Sequence, residues 1–189
     1  MTARISLIAV VALFAVLTGL RTVLVLRGRE FPGKSYVNYT FFLLLSILFA
    51  EFDLFPLSLA TLALVSFFAL REYFSLIDIR PQDRIAIWIA FLLIPFQYYF
   101  ILDEWYGMFI IAVPVYGFLL VPMFVAMGGR EARGMIFSIG AIDFGLFLYV
   151  FCIAHIGYLL LESIWQPVLL ILLVALCDVV SVLLRRGRR

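Results

Sequence analysis

The sequence contains one histidine and two cysteines among its 189 residues. Both cysteines, Cys152 and Cys177, lie inside long apolar segments, which is typical of small packing residues and not of a disulfide scaffold. One histidine and two buried cysteines do not form the ligand pattern of a zinc site. The sequence therefore predicts neither a disulfide-rich domain nor a structural zinc domain.

Charged residues are also scarce, at 14% of the chain. The longest hydrophilic stretches, residues 27–35 and 75–84, are too short to bury a core of their own. The chain has no phosphate-binding P-loop and no dinucleotide-binding glycine motif. We therefore expect no soluble domain and neither of these two nucleotide-binding loops.

The chain is instead 66% hydrophobic, and its apolar residues form seven blocks. The blocks are Ile5–Leu26, Tyr36–Ala50, Leu54–Leu70, Ile85–Leu102, Gly107–Met127, Met135–Leu161 and Pro167–Leu184. A transmembrane helix needs about 20 apolar residues to cross ~30 Å of hydrocarbon. The pattern predicts an all-α, polytopic membrane protein of about seven transmembrane helices, in a single domain that covers residues 1–189.

The basic residues lie in every second gap between these blocks. Twelve of the fourteen fall within residues 27–34, 71–84, 130–133 and 185–189, whereas the three other gaps carry acidic residues only. Lys and Arg orient membrane helices with the basic loops in the cytoplasm, so we predict an outer N-terminus and a cytoplasmic C-terminus. Basic clusters that flank spans do not form one face for nucleic acid, so no nucleic-acid partner is expected.

Two neighbouring blocks are short for a full span. At ~1.5 Å per residue, Tyr36–Ala50 covers about 22 Å and Leu54–Leu70 about 25 Å. The charge pattern requires an even number of crossings between the basic gaps on either side. We interpret these blocks as a hairpin around residues 51–53, and a re-entrant pair satisfies the same pattern.

Four ionisable residues lie inside the predicted spans, namely Arg21, Asp143, His155 and Asp178. Such residues are costly in hydrocarbon, and each is a candidate functional group. Counted from the ends of their spans, Arg21, Asp178 and Asp143 lie ~9, ~10 and ~13 Å below the cytoplasmic surface. We therefore expect these three side chains to share one layer, with His155 closer to the outer side.

Each of these residues also has a structural interpretation. Arg21 can extend to the interface, and Asp143 can bond a neighbouring helix or pair with Arg21. A lone histidine on an apolar helix, such as His155, is more often packed and hydrogen-bonded. The short carboxylate of Asp178 cannot reach water, so metal coordination or an ion pair is its natural environment.

Several segments resemble the CDP-diacylglycerol synthases (phosphatidate cytidylyltransferases), especially the bacterial branch. They are Phe67–Leu76, Pro95–Tyr99, Trp105–Gly107 with Pro114–Tyr116, Tyr149–His155 and Cys177–Val180. The similarity runs from Phe67 to Leu184. It implies an enzyme of the cytoplasmic (inner) membrane that makes CDP-diacylglycerol and pyrophosphate from CTP and phosphatidic acid with Mg²⁺. A homo-oligomer is compatible with this expectation.

The resemblance carries one residue over directly, because Asp178 matches a family position that binds metal and nucleotide. Asp143 is a weaker candidate metal ligand. Arg185 and Arg186 stand where the family has Gly and Lys, and the family's Ser-Pro-Lys-Lys-Thr and Asp-Arg-x-Asp elements are not found in these residues. The resemblance thus implies the N-terminal part of such an enzyme, and residues 1–189 alone are expected to be inactive.

Two other functions are compatible with the residues. Asp143, Asp178 and Arg21 could form an ion or proton path in a small transporter or channel subunit, although no inverted repeat is visible. The chain could also be a non-catalytic membrane partner.

The charge pattern predicts which loops face the cytoplasm. In a background without Cys152 and Cys177, we expect Lys34→Cys, Arg80→Cys, Arg130→Cys and Arg188→Cys to react with an impermeant thiol reagent from the cytoplasmic side only. Asp53→Cys, Asp103→Cys and Glu162→Cys should react from outside only. Labelling of Asp53→Cys from the cytoplasm would indicate a re-entrant pair. Labelling of Arg130→Cys from outside would contradict the whole topology.

Overall fold

The computed structural model describes residues 34–128 and 134–171, together with residues 9, 12, 15, 16, 173 and 174. Within these ranges the secondary structure is helical and no strand occurs. The elements are α1 (Lys34–Glu51), α2 (Phe55–Leu76), a 3-10 turn (Pro81–Asp83), α3 (Arg84–Leu102), α4 (Tyr106–Ile111), the π-helix π1 (Ala112–Gly117), α5 (Phe118–Met127), α6 (Met135–Gly145), the π-helix π2 (Leu146–Cys152) and α7 (Ile153–Glu162). Residues 165–171 are also helical.

Four helical segments are long and apolar enough to cross a membrane, namely Phe55–Leu76, Pro81–Leu102, Tyr106–Met127 and Met135–Glu162. A span of 22 residues is about 33 Å long, which matches ~30 Å of hydrocarbon. Four of the predicted blocks are therefore confirmed as candidate spans. The described residues show a helical protein of the membrane type.

The total of seven transmembrane helices stays a prediction, because the other three blocks are not full spans within the described residues. Block Tyr36–Ala50 lies in α1, whose apolar part, Phe41–Glu51, is shorter than a full span. The block Ile5–Leu26 and most of Pro167–Leu184 lie outside the described residues. The helix does break at residues 52–54, where Asp53 has φ 58°, so two helices form here and not one long one.

The structure corrects the length estimated for the block Leu54–Leu70. Helix α2 continues through Arg71 and Glu72 to Leu76, so it has 22 residues and can cross the bilayer on its own. Arg71 and Glu72 are exposed. Helical hydrogen bonding does not require apolar side chains, and therefore the helix does not stop where the apolar sequence stops.

The chain groups into two compact units, residues 1–58 with 159–189, and Leu59–Tyr158. In the first unit, Leu44 and Ile47 of α1 are fully buried, and Gln166 donates to Glu162 over 3.2 Å. The second unit contains most of α2 and of the Met135–Glu162 span, together with the two candidate spans between them, Pro81–Leu102 and Tyr106–Met127.

The second unit keeps polar groups inside and large apolar groups outside. Ser66 and Tyr98 share a buried hydrogen bond of 2.8 Å between α2 and α3. On the outer faces, Trp88, Leu119 and Ile136 are 74%, 66% and 85% exposed. Helices that are apolar on every face are stable only in an apolar surrounding, as in a bilayer.

Each of the last two candidate spans contains a π-helical segment. In π1, the backbone hydrogen bonds change to i+5 pairing, and this change leaves one backbone N–H without an acceptor. Pro114 lies in π1 and has no N–H, so no donor is left unpaired at this residue. Just before π1, Gln97 Nε2 donates to the carbonyl of Phe109 over 2.9 Å, which joins α3 to the next span. The helices α3 and α5 continue through Pro95 and Pro122.

Cys152, at the end of π2, is a free and exposed thiol, so it is not the packing residue that its apolar surroundings predict. In a span that is apolar on all sides, the sequence does not show which face is buried. Cys177 lies outside the described residues.

Glycine allows close contact between α2 and the Met135–Glu162 span. A Cβ at Gly145 would lie 2.6 Å from Cε1 of Tyr73, and a Cβ at Gly157 would lie 2.7 Å from Cδ2 of Leu59. The two contacts are near opposite ends of α2, so the two helices run antiparallel. Small residues of this kind let helix backbones approach within a bilayer.

We expect Gly145→Ala to destabilise the protein and Gly140→Ala to leave its stability unchanged or slightly higher. Overpacking costs about 1–3 kcal/mol, which exceeds the gain of up to ~1 kcal/mol from alanine in a helix. A Cβ at Gly140 meets no atom within 4 Å, so this variant is the matched control. Thermal unfolding in detergent measures both, and equal melting temperatures would refute the close contact.

Candidate functional site

Two loops meet at one end of the second unit. A Cβ at Gly128 would lie 2.6 Å from the carbonyl oxygen of Gln82, and one at Gly134 would lie 3.3 Å from Cδ of Arg80. Gly134 has φ 80°, a left-handed conformation that favours glycine. We call this end, which carries Arg71, Arg80 and Arg84, the arginine end.

A buried ion pair stabilises the arginine end. Arg80 donates to both carboxylate oxygens of Asp83, from Nε over 2.8 Å and from Nη2 over 3.1 Å. The Asp83 side chain is fully buried, and that of Arg80 is 18% exposed. The Pro81–Asp83 turn brings the two side chains together because positions i and i+3 eclipse in a 3-10 helix. The pair thereby holds the loop that leads into α3.

Asp143 lies on α6, within a span. Its Oδ1 is buried and has no hydrogen-bond partner among the described residues. The buried hydroxyl of Ser138 on the same helix also has none among them. A buried carboxylate oxygen without a partner is costly, which marks Asp143 as a position for a cation or a donor.

Tyr73 of α2 packs beside this part of α6. Its hydroxyl donates to the carbonyl of Ala141 over 2.9 Å, and its ring lies 5.2 Å from that of Tyr149. Because Ala141 and Asp143 are two residues apart, Tyr73 fixes the backbone next to the carboxylate. The hydrogen bond from Tyr73 therefore helps to fix the position of Asp143 on α6.

His155 is in a different environment. Its Nδ1 lies 2.8 Å from the carbonyl oxygen of Phe151, and its ring packs edge-on against Phe109 and Phe151 at 4.8 and 4.4 Å. His155 and Asp143 are twelve residues apart on one span, or about 18 Å along its axis. The structure does not bring them together.

Arg21 and Asp178 lie outside the described residues. The predicted layer of Arg21, Asp143 and Asp178 therefore stays a prediction, as does the metal-binding role of Asp178. In the ranges that the structure describes, no group of three or more His, Cys, Asp or Glu side chains could hold a metal ion. Asp143 can supply one free carboxylate oxygen, which suits a hard cation such as Mg²⁺.

Sequence reasoning missed both the Arg80–Asp83 ion pair and the hydrogen bond of Tyr73, which organise this region. The basic gap at residues 71–84 was interpreted through topology alone, although the i, i+3 spacing of Arg80 and Asp83 after a bend is a recognisable ion-pair pattern. Tyr73 had no signal of its own, because only the packing of α2 against Gly145 brings its hydroxyl to Ala141.

Comparison with known proteins gives two similarities. Residues 34–183 match the cytidylyltransferase family. The chain is also 30% identical over 105 residues to the uncharacterized protein YnbB of Escherichia coli (strain K12), a region that covers 56% of this chain and 33% of YnbB. The chain thus matches about a third of the length of that relative. No solved structure matches the chain.

We expect Asp83→Ala to lower the stability of the protein strongly. Breaking a buried ion pair costs about 3–5 kcal/mol, because Arg80 is left largely buried without its carboxylate. Asp78→Ala is the control, since Asp78 is an exposed carboxylate in the same loop, and surface changes stay within about 0.5 kcal/mol. Thermal unfolding in detergent separates the two variants. If both melt alike, the pair does not stabilise the arginine end.

Proposed function

The chain belongs to the cytidylyltransferase family, and from this we propose that it takes part in making CDP-diacylglycerol from CTP and phosphatidic acid. The observation that carries the proposal is the family match over residues 34–183, which includes all four candidate spans. It also includes all the segments that carry the resemblance to this family, which is thereby confirmed. Family membership favours a transferase over the transporter or channel interpretation.

In the proposed reaction, a phosphate oxygen of phosphatidic acid attacks the α-phosphorus of CTP. A new P–O bond forms, the bond from the α-phosphorus to the bridging oxygen breaks, and pyrophosphate leaves. The reacting groups are all anionic, so the site must offset their charge and align them. Acidic side chains that hold divalent cations and basic side chains near the phosphates meet these needs.

Asp143 supports the proposal because its Oδ1 is buried and has no partner among the described residues. We propose that Asp143 and Asp178 hold Mg²⁺. When bound, Mg²⁺ would offset phosphate charge and polarise a phosphoryl oxygen. Tyr73 and Gly145 would keep the Asp143 backbone in position during the reaction.

The exposed arginines of the arginine end favour this end as the place where the substrates bind. Arg71 and Arg84 are exposed there, beside the exposed carboxylates of Glu72 and Asp78, and a guanidinium can bind a phosphate through two parallel hydrogen bonds. We propose that this end faces the cytoplasm in the cytoplasmic membrane, where CTP from solution meets the head group of phosphatidic acid from the bilayer.

Incorporation of radiolabelled CTP into lipid tests the proposal. We expect product from membranes that contain this chain together with the C-terminal part of a related synthase. Asp178→Asn should abolish it, and Asp143→Asn should reduce it by about 10- to 100-fold, the usual effect of weakening a metal site.

Asp103→Asn is the matched control, because Asp103 is an exposed carboxylate that follows the last residue of α3, at the end of that helix away from the arginine end. It should leave incorporation unchanged. Absence of product from the combined chains, or product that is insensitive to both carboxylate variants, would contradict the proposed function.

A further inference from the structure

Two glycines of the Met135–Glu162 span face the same helix, one on each side of π2. Gly145 packs closely against Tyr73 of α2, and Gly157 packs closely against Leu59 of α2. The α-helix α2 is regular between Leu59 and Tyr73, and these residues lie within about 40° of one another around its axis. The same side of the span must therefore meet α2 at both glycines.

A regular α-helix would not place the two glycines on one side of the span. Gly145 and Gly157 are twelve residues apart. Because each residue of an α-helix turns the chain by about 100°, this spacing ends about 120° beyond three full turns. A spacing of eleven residues would end only about 20° beyond them. The span therefore contains one residue more than the alignment of its glycines requires.

The π-helix π2 lies between the two glycines and takes up this additional residue. Hydrogen bonds of the i+5 type close a larger turn than those of an α-helix, so a π-helical segment accommodates one residue more over the same rotation. The contact at Gly145 excludes the other alignment. A rotation of Met135–Gly145 by one residue would turn Phe144 or Leu146 toward Tyr73, where a Cβ would already lie 2.6 Å from a ring carbon.

The Tyr106–Met127 span shows the same relation at π1. An apolar groove lies between this span and α3, and the residues of the span that line it recur every four residues, namely Met108, Ala112, Tyr116, Leu120 and Phe124. In a regular α-helix, the first and last of these residues would point about 160° apart. With one residue taken up by π1, the difference falls to about 60°, which keeps all five on the side of the groove.

The register of π2 also sets the direction of Asp143, which lies two residues before Gly145. We propose that π2 is a one-residue spacer that, together with the two glycine contacts, holds the side chain of Asp143 in a single direction. If the span were a regular helix and the half after π2 stayed in place, Asp143 would turn by about 100° around the helix axis. The spacer requires no turnover, so its test is separate from that of the proposed reaction.

Deletion of Phe147, an exposed residue of π2, tests the spacer in the full chain. The two glycines are then eleven residues apart, so a regular α-helix satisfies both contacts. We expect this variant to melt in detergent at the same temperature as Phe147→Ala, which loses the ring but keeps the spacing, or at a higher one. Insertion of one alanine after Phe147 should instead lower the melting temperature by several degrees, because π2 takes up one residue and not two.

Deletion of Leu64 is the matched control. Leu64 is exposed and lies between Leu59 and Tyr73 in the regular helix α2, which has no additional residue to lose. Its deletion turns the two contacts about 100° out of line and should lower the melting temperature by several degrees relative to Leu64→Ala. The spacer is wrong if deletion of Phe147 is as harmful as this control. If the Phe147 deletion does not fold, deletion of Leu148 in π2 replaces it, and failure of both deletions overturns the spacer.

Spin labels test the direction of the half that carries Asp143. In vesicles of the full chain without its native cysteines, nitroxides are attached singly through Gly140→Cys, Ala141→Cys and Phe144→Cys, and their collision rates with oxygen dissolved in the bilayer are measured. Gly140 and Phe144 are exposed and Ala141 is buried, so we expect higher rates at positions 140 and 144 than at 141. The same order should persist after deletion of Phe147. Loss of this order in the deletion variant would show a rotated helix and overturn the spacer.

Discussion

Hydrocarbon offers no hydrogen bonds to the backbone, so each carbonyl and N–H of a span must find its partner within the protein. In this chain, side chains from neighbouring helices donate to two backbone carbonyls that precede the π-helical segments. Gln97 donates to Phe109 just before π1, and Tyr73 donates to Ala141 just before π2. Both bonds connect neighbouring helices. Bonds from side chains to backbone carbonyls thus hold neighbouring spans together.

The same constraint distinguishes two carboxylates of the second unit, Asp83 and Asp143, each of which has a buried oxygen. Asp83 is fully buried at the end of a span, and a nearby guanidinium satisfies both of its oxygens. Asp143 lies inside a span, and its Oδ1 has no partner among the described residues. A satisfied carboxylate stabilises structure, whereas an unsatisfied one is available to a ligand. This contrast makes Asp143 the better candidate for chemistry and Asp83 a structural residue.

Much of the fold could be predicted because hydrophobicity and length decide whether a segment can cross a bilayer. The blocks Ile85–Leu102 and Gly107–Met127 agree with the observed spans within a few residues, and the break at residues 52–54 falls in the acidic gap. The end of α2 was placed too early, because the helix extends beyond the apolar residues. The exposed position of Cys152 was not predictable, since a span that is apolar on every face has no periodic signal.

Residue type and order along the chain are sufficient to predict the membrane class, the position of four spans and the family. They also point to Asp143, since a carboxylate within an apolar span is unusual wherever it packs. Which polar groups find a hydrogen-bond partner depends instead on how the helices pack. The partners of Asp83, Tyr73 and His155, and the groove between two spans, depend on distances that linear spacing does not contain. Helix packing sets those distances, through contacts such as the one between Tyr73 and Gly145.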